Sequence, residues 1–73
     1  MKIEKTTDSS WDIIGASGEE NNEMLLGEIF ETGPDTFIYR IVGKRTVQQA
    51  GSFEDAKRRL CDLIKQEFGN DFR

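Results

Sequence analysis

Histidine is absent from these 73 residues, and cysteine and proline occur once each. Without histidine there is no His-based catalytic triad, no imidazole general base and none of the commonest metal ligand. Cys61 cannot form an intrachain disulfide, and with no histidine to draw off its proton it is a poor nucleophile. At the edge of an apolar stripe it reads as a small, half-buried hydrophobe. No apolar run approaches the ~20 residues that a membrane-spanning helix needs. Met1-Lys2-Ile3-Glu4-Lys5-Thr6 is too polar for a secretory signal. These absences predict a chain without a membrane segment, in a reducing, cytoplasmic setting.

The acids supply no replacement chemistry. Glu19, Glu20 and Glu23 cluster in a polar stretch with nothing to raise their pKa values for acid–base work. They lack the alternating ligands and final glutamate of an EF-hand loop. Gly15-Ala16-Ser17-Gly18 lacks the lysine and the helix of a phosphate-binding loop. The expectation is a non-enzyme with no cofactor and no metal.

Charge is present but unevenly spread. Of the net −4, residues 1–34 hold two lysines against eight acids, a balance of −6, and residues 35–73 hold eight Lys or Arg against six acids, a balance of +2. An acidic half repels phosphate backbones and attracts basic surfaces.

The periodicities predict an α+β domain, an antiparallel three- to four-stranded sheet with one C-terminal amphipathic helix packed on one face. Trp11 to Ile14, Met24 to Glu31 and Thr36 to Val42 read as strands, rich in β-branched and aromatic residues. Gly33-Pro34-Asp35 and Gly43-Lys44-Arg45 read as the turns. Lys2 to Thr6 and Thr46 to Ala50 are open between strand and extended arm. The helix is the plainest element. Phe53, Ala56, Leu60, Leu63, Ile64 and Phe68 recur on one face at a 3.6-residue period. Ser52 is its N-cap, accepting from the amide of Asp55. Glu54 with Arg58 and Asp55 with Arg59 are its i,i+4 pairs, and Gly69 is its stop. The 73 residues make one small domain, with residues 1–9 as an arm and 70–73 as a tail, both expected to be flexible.

Alternation then sorts the strands. Arg40 is costly to bury unpaired, so Phe37, Tyr39 and Ile41 face the helix. By the same logic Trp11, Ile13, Leu25 and Ile29 go inward. That leaves Leu26, Glu28, Phe30, Ile38, Arg40 and Val42 on the far face, beside Asp12 and Ile14. A partly apolar outer face marks these six as a candidate protein interface, for an unknown and basic partner or for a second copy in a homodimer. The competing candidate is nucleic acid, a sheet in a major groove contacted by Arg40, Lys44 and Arg45. The neighbouring Asp12, Glu28 and Glu31 oppose phosphate neutralisation, so nucleic acid is the weaker expectation.

The strand with Trp11, Leu26-Gly27-Glu28-Ile29, Phe37-Ile38-Tyr39-Arg40-Ile41 and the helix start Gly51-Ser52-Phe53-Glu54-Asp55-Ala56-Lys57 together resemble small β-β-β-α accessory proteins of phages and prophages. The layout also resembles the sheet-plus-helix DNA-binding domains of phage-type integrases, whose sheets are usually basic where this one is not. The resemblance implies an accessory, host-directed role and carries over no site residue. The sequence thus points to a non-catalytic protein-interaction domain, with a sequence-tolerant DNA-binding sheet as the alternative.

Overall fold

The computed structural model of the chain describes residues 2–17 and 22–69, with side chains for 2–15 and 23–69. Strands β1 (Lys2–Thr7), β2 (Ser10–Ser17), β3 (Asn22–Gly33), β4 (Thr36–Ile41) and β5 (Gln48–Ala50) precede the helix α1 (Phe53–Phe68). All five strands form one antiparallel sheet in the order β1-β2-β3-β4-β5. The fold is therefore α+β, as the sequence predicts, but with five strands in place of three or four: Lys2–Thr7 and the last three residues of 46–50 both pair into the sheet. Lys2–Thr7, expected as part of a flexible arm, is a paired edge strand. Its side chains are exposed except for the half-buried Ile3, which is why its alternation is faint in the sequence. The tail 70–73 and the clustered acids Glu19 and Glu20 lie outside the described residues.

The helix is built as its sequence dictates. Ser52 is extended (φ −153°, ψ 161°), and its Oγ accepts from Asp55 N at 3.1 Å. At the other end Gly69, at φ 77°, donates its N–H to Lys65 O at 2.8 Å. That left-handed φ is open to glycine at little cost. Along the exposed side Asp55 takes both arginines, Arg58 at 2.7 Å and Arg59 at 3.1 Å, while Glu54 sits 3.6 Å from Lys57 in place of the expected Arg58. The Asp55 carboxylate foremost, with the nearby Tyr39, raises the Arg59 pKa.

Ala56, Leu60 and Ile64 of α1 are fully buried against Ile13, Leu26, Ile29, Tyr39 and Ile41. At the N-terminal end of α1, Trp11, Phe37 and Phe53 form a ring cluster with centroids 4.7–6.2 Å apart. Tyr39, the largest fully buried side chain, keeps its hydroxyl satisfied by donating to Gln48 Oε1 at 3.2 Å. Trp11, Ile13, Ile29, Phe37, Tyr39 and Ile41 thus face the helix as expected.

Leu26 does not follow the expected alternation. It is fully buried, whereas Leu25, expected inside, is 39% exposed. Ile13 pairs with Gly27 and Ile14 with Leu25, so Leu26 is an extra residue with no partner on β2. Such a bulge reverses the inside–outside parity of everything N-terminal to it. The reason lies at Gly27. A Cβ there would stand 3.0 and 3.1 Å from the two methyls of Leu60 and 3.1 Å from Arg40 O. The inward face of β3 has no room for a side chain at Gly27, and the bulge brings Leu26 into the core beside it.

Candidate functional site

Among the described elements only α1 packs on the sheet, and it covers one face. The register assembles the other face in rows that run across the strands. The central row is Glu4, Asp12, Glu28 and Arg40, one residue each from β1 to β4. On one side of it lie Lys2, Ile14 and Leu25, with Val42 exposed just past β4. On the other lie Ser10, Phe30, Ile38 and Gln49. Phe30 and Ile38 are half-buried against each other as a direct cross-strand pair, while Ser10 is buried and hydrogen-bonded to the hydroxyls of Thr6 and Thr7 at 2.7 and 2.6 Å.

Of the six candidate interface residues, Glu28, Phe30, Ile38, Arg40 and Val42 are on this face. Leu26 is not: the bulge turns it into the core and puts Leu25 outside. Glu4 joins the site only through register. No local pattern in Lys2–Thr7 announces it, because its neighbours in the row come from distant segments.

The electrostatics of the central row are lopsided. Arg40 is held by Glu28, with Nε at 3.2 Å and Nη2 at 3.0 Å from the same carboxylate oxygen. Lys2 lies 3.3 Å from Glu4 and 2.9 Å from Glu23; these two acids, Glu23 first, raise its pKa. Asp12, between Glu4 and Glu28, has no cation partner among the described residues. Burial, then the Glu28 and Glu4 carboxylates, hold the Asp12 carboxyl above its ordinary range.

The sign of the pH effect follows. A raised carboxyl pKa means that the folded state binds the Asp12 proton more tightly than the unfolded chain. Its contribution to stability is present at low pH. It is lost as pH rises from the ordinary aspartate value of ~4 through the raised one. Like charges directly opposite on neighbouring strands are destabilising, on a scale of roughly 0.2–1 kcal/mol per pair. Asp12→Asn is therefore expected to stabilise the fold at neutral pH by a few tenths to about 1 kcal/mol, and to be nearly neutral below the ordinary aspartate range. Urea titrations at the two pH values measure this. An equal or opposite effect at both would show that Asp12 carries no such repulsion.

The basic candidates do not converge. Arg40 is engaged by Glu28, and Lys44 Nζ reaches across to Glu67 on α1 at 2.9 Å. Arg45 is exposed on the 44–47 connection. Lys44 and Arg40 instead line a groove of about 190 Å³ between β4 and the C-terminal half of α1, together with Tyr39, Ile41 and Leu63. The described residues include no group of three or more His, Cys, Asp or Glu able to hold a metal ion, and no helix long and apolar enough to cross a membrane. Cys61 is free and half-buried. What the structure brings together is an acid-centred, apolar-flanked sheet face, and its reading rests on its own chemistry, because in comparisons with known proteins the chain matches no family model, no curated protein and no solved structure.

Proposed function

We propose that this domain is a non-catalytic protein-interaction module that works through the outer face of its sheet. The observation that carries this reading is Asp12, a half-buried carboxylate set between two others with no cation partner among the described residues. The arrangement costs folding stability, and a basic group from outside relieves it. Apolar residues on both sides, with Leu25 39% and Val42 37% exposed, add desolvation to that attraction. The resemblance to small phage accessory proteins makes the partner a host protein, met in the cytoplasm, where a free Cys61 is stable.

Duplex DNA is the contrasting ligand. Arg40 and Lys44 are both spent on internal ion pairs, and a row of carboxylates lies beside them, so phosphate neutralisation is poorly supplied. A photo-cross-linking residue placed at Leu25 in cells of the source organism is expected to trap another protein, and the same residue at Arg58 on the back of α1 is not. Absence of any protein adduct at Leu25, together with duplex binding at moderate salt that Arg40→Ala with Lys44→Ala abolishes, would overturn the proposal in favour of nucleic acid.

A further inference from the structure

Three features outside the core invite an explanation: the groove between β4 and α1, the free Cys61, and the outer sheet face. In the lining of the groove Lys44 and Glu67 are paired with each other at 2.9 Å, and the hydroxyl of Tyr39 is engaged by Gln48. Nothing there awaits a ligand. Cys61 is a lone, half-buried thiol, and nothing further points to a ligand there. The outer face differs, because its charge is incomplete and its geometry is regular.

We infer that the outer face takes a basic–apolar segment of another protein, with a lysine or arginine seated over Asp12 and apolar side chains on the two flanking rows. This inference rests on the interaction-module reading and specifies its partner.

The spacing supports it. Neighbouring strands are ~4.8 Å apart, and same-face residues along a strand are ~6.8 Å apart. A cation above Asp12 therefore lies within ~5–6 Å of both Glu4 and Glu28, which keep Lys2 and Arg40 as partners of their own, so Asp12 is the carboxylate it neutralises. One step along β2 leads to Ile14, beside Leu25, on one side and to Ser10, beside the Phe30–Ile38 pair, on the other. A partner whose apolar, basic and apolar side chains share one face at a similar spacing matches all three rows. Alternate residues of an extended chain do so, as do residues four apart on a helix.

Charge also argues against a second copy as the occupant. Stacking the row on its own two-fold image opposes Asp12 to Glu28, to itself, or to an Arg40 that is already bound to Glu28. The one arginine of the row is already bound to Glu28, so a copy brings no free cation to Asp12. A foreign basic segment does.

The test is selection of random peptides displayed on a neutral carrier against the immobilised domain, followed by affinity measurement on the recovered sequences. The expected peptides are enriched in Lys or Arg flanked by Leu, Ile, Val or Phe. Their affinity falls about tenfold or more in Asp12→Lys, as for reversal of a charge across an interface, and weakens with salt. Asp12→Asn, which removes the charge with little change of shape, serves if the lysine variant does not fold. It is expected to weaken binding less than charge reversal does. Acidic or uncharged peptides, affinity indifferent to Asp12, or no peptide recovered would each overturn the inference. So would a wild-type dimer in sedimentation that Phe30→Glu converts to monomer, since the face would then be occupied by a copy. None of these outcomes removes a protein adduct at Leu25, so failure here and failure of the interaction-module reading are distinguishable.

Discussion

Leu60→Ala is expected to cost about 2–5 kcal/mol, near the top of that range, the usual cost of truncating a fully buried leucine. Leu60 is completely buried and reaches the sheet at Gly27, where the absent Cβ lets its two methyls approach the backbone of β3. The cost of such a truncation depends on how far the surroundings can collapse into the space. Here they cannot collapse far. Gly27 is pinned between Ile13 on β2 and Ile41 on β4, and Ala56 and Ile64 hold α1 in place one turn away on either side. A chain of this length buries only about 60% of the surface its unfolded form exposes, so its total stability is modest. The substitution is expected to shift the urea midpoint to the edge of the folded range. A loss under about 1 kcal/mol, the size of a surface change, would mean that Leu60 is not the central contact between helix and sheet.

The reciprocal substitution has the second-largest expected effect. Gly27→Val forces a branched side chain into a position where even a Cβ meets Leu60 at 3.0 Å and the carbonyl oxygen of Arg40 at 3.1 Å. The leucine can shift, but the carbonyl belongs to the neighbouring strand and cannot move without breaking the β3–β4 ladder. Overpacking of this kind costs about 1–3 kcal/mol, and the valine is expected at or beyond the upper end. Gly27→Ala is milder and makes the diagnostic pair. Combined with Leu60→Ala it places a methyl where space has been opened, so the double variant is expected to be more stable than the sum of the single losses predicts. Simple additivity in a double-mutant cycle would show that the two residues do not share the space.

The same contact explains what the sequence leaves hidden. The caps of α1 are legible because Ser52, Asp55, Lys65 and Gly69 make local hydrogen bonds. The faces of β2 and β4 are legible because Asp12 and Arg40 mark the side that cannot be buried cheaply. On β3 the polar marker Glu28 sorts Ile29 and Phe30 correctly. It fails for Leu25 and Leu26, because the bulge intervenes and both are leucine, so composition gives no sign of the flip. The one local hint is Gly27 itself, since an isolated glycine inside a strand signals a bulge or a close approach. β1 and β5 are obscured for another reason. An exposed polar edge and a three-residue strand carry too little alternation to stand out from a loop.

The candidate site is legible in the same proportion. Glu28, Phe30, Ile38, Arg40 and Val42 are assigned outward by alternation alone. The acid row is not visible in any single segment, since Glu4, Asp12 and Glu28 are brought side by side by the register of three strands. A charge cluster perpendicular to the strands is a property of pairing, and pairing is what one-dimensional periodicity does not contain.

The central claim is that this acid row, with its apolar flanks, is the binding surface. Its most direct test is an NMR titration of the isotopically labelled domain with a short synthetic peptide carrying lysine between two leucines at alternate positions. The amide shifts are expected to centre on Glu4, Asp12, Glu28, Phe30 and Ile38, to need more peptide in Asp12→Asn and to be lost or nearly so in Asp12→Lys. Shifts centred instead on Glu54, Arg58 and Asp62 of α1, or on the Lys44–Glu67 groove, would contradict it.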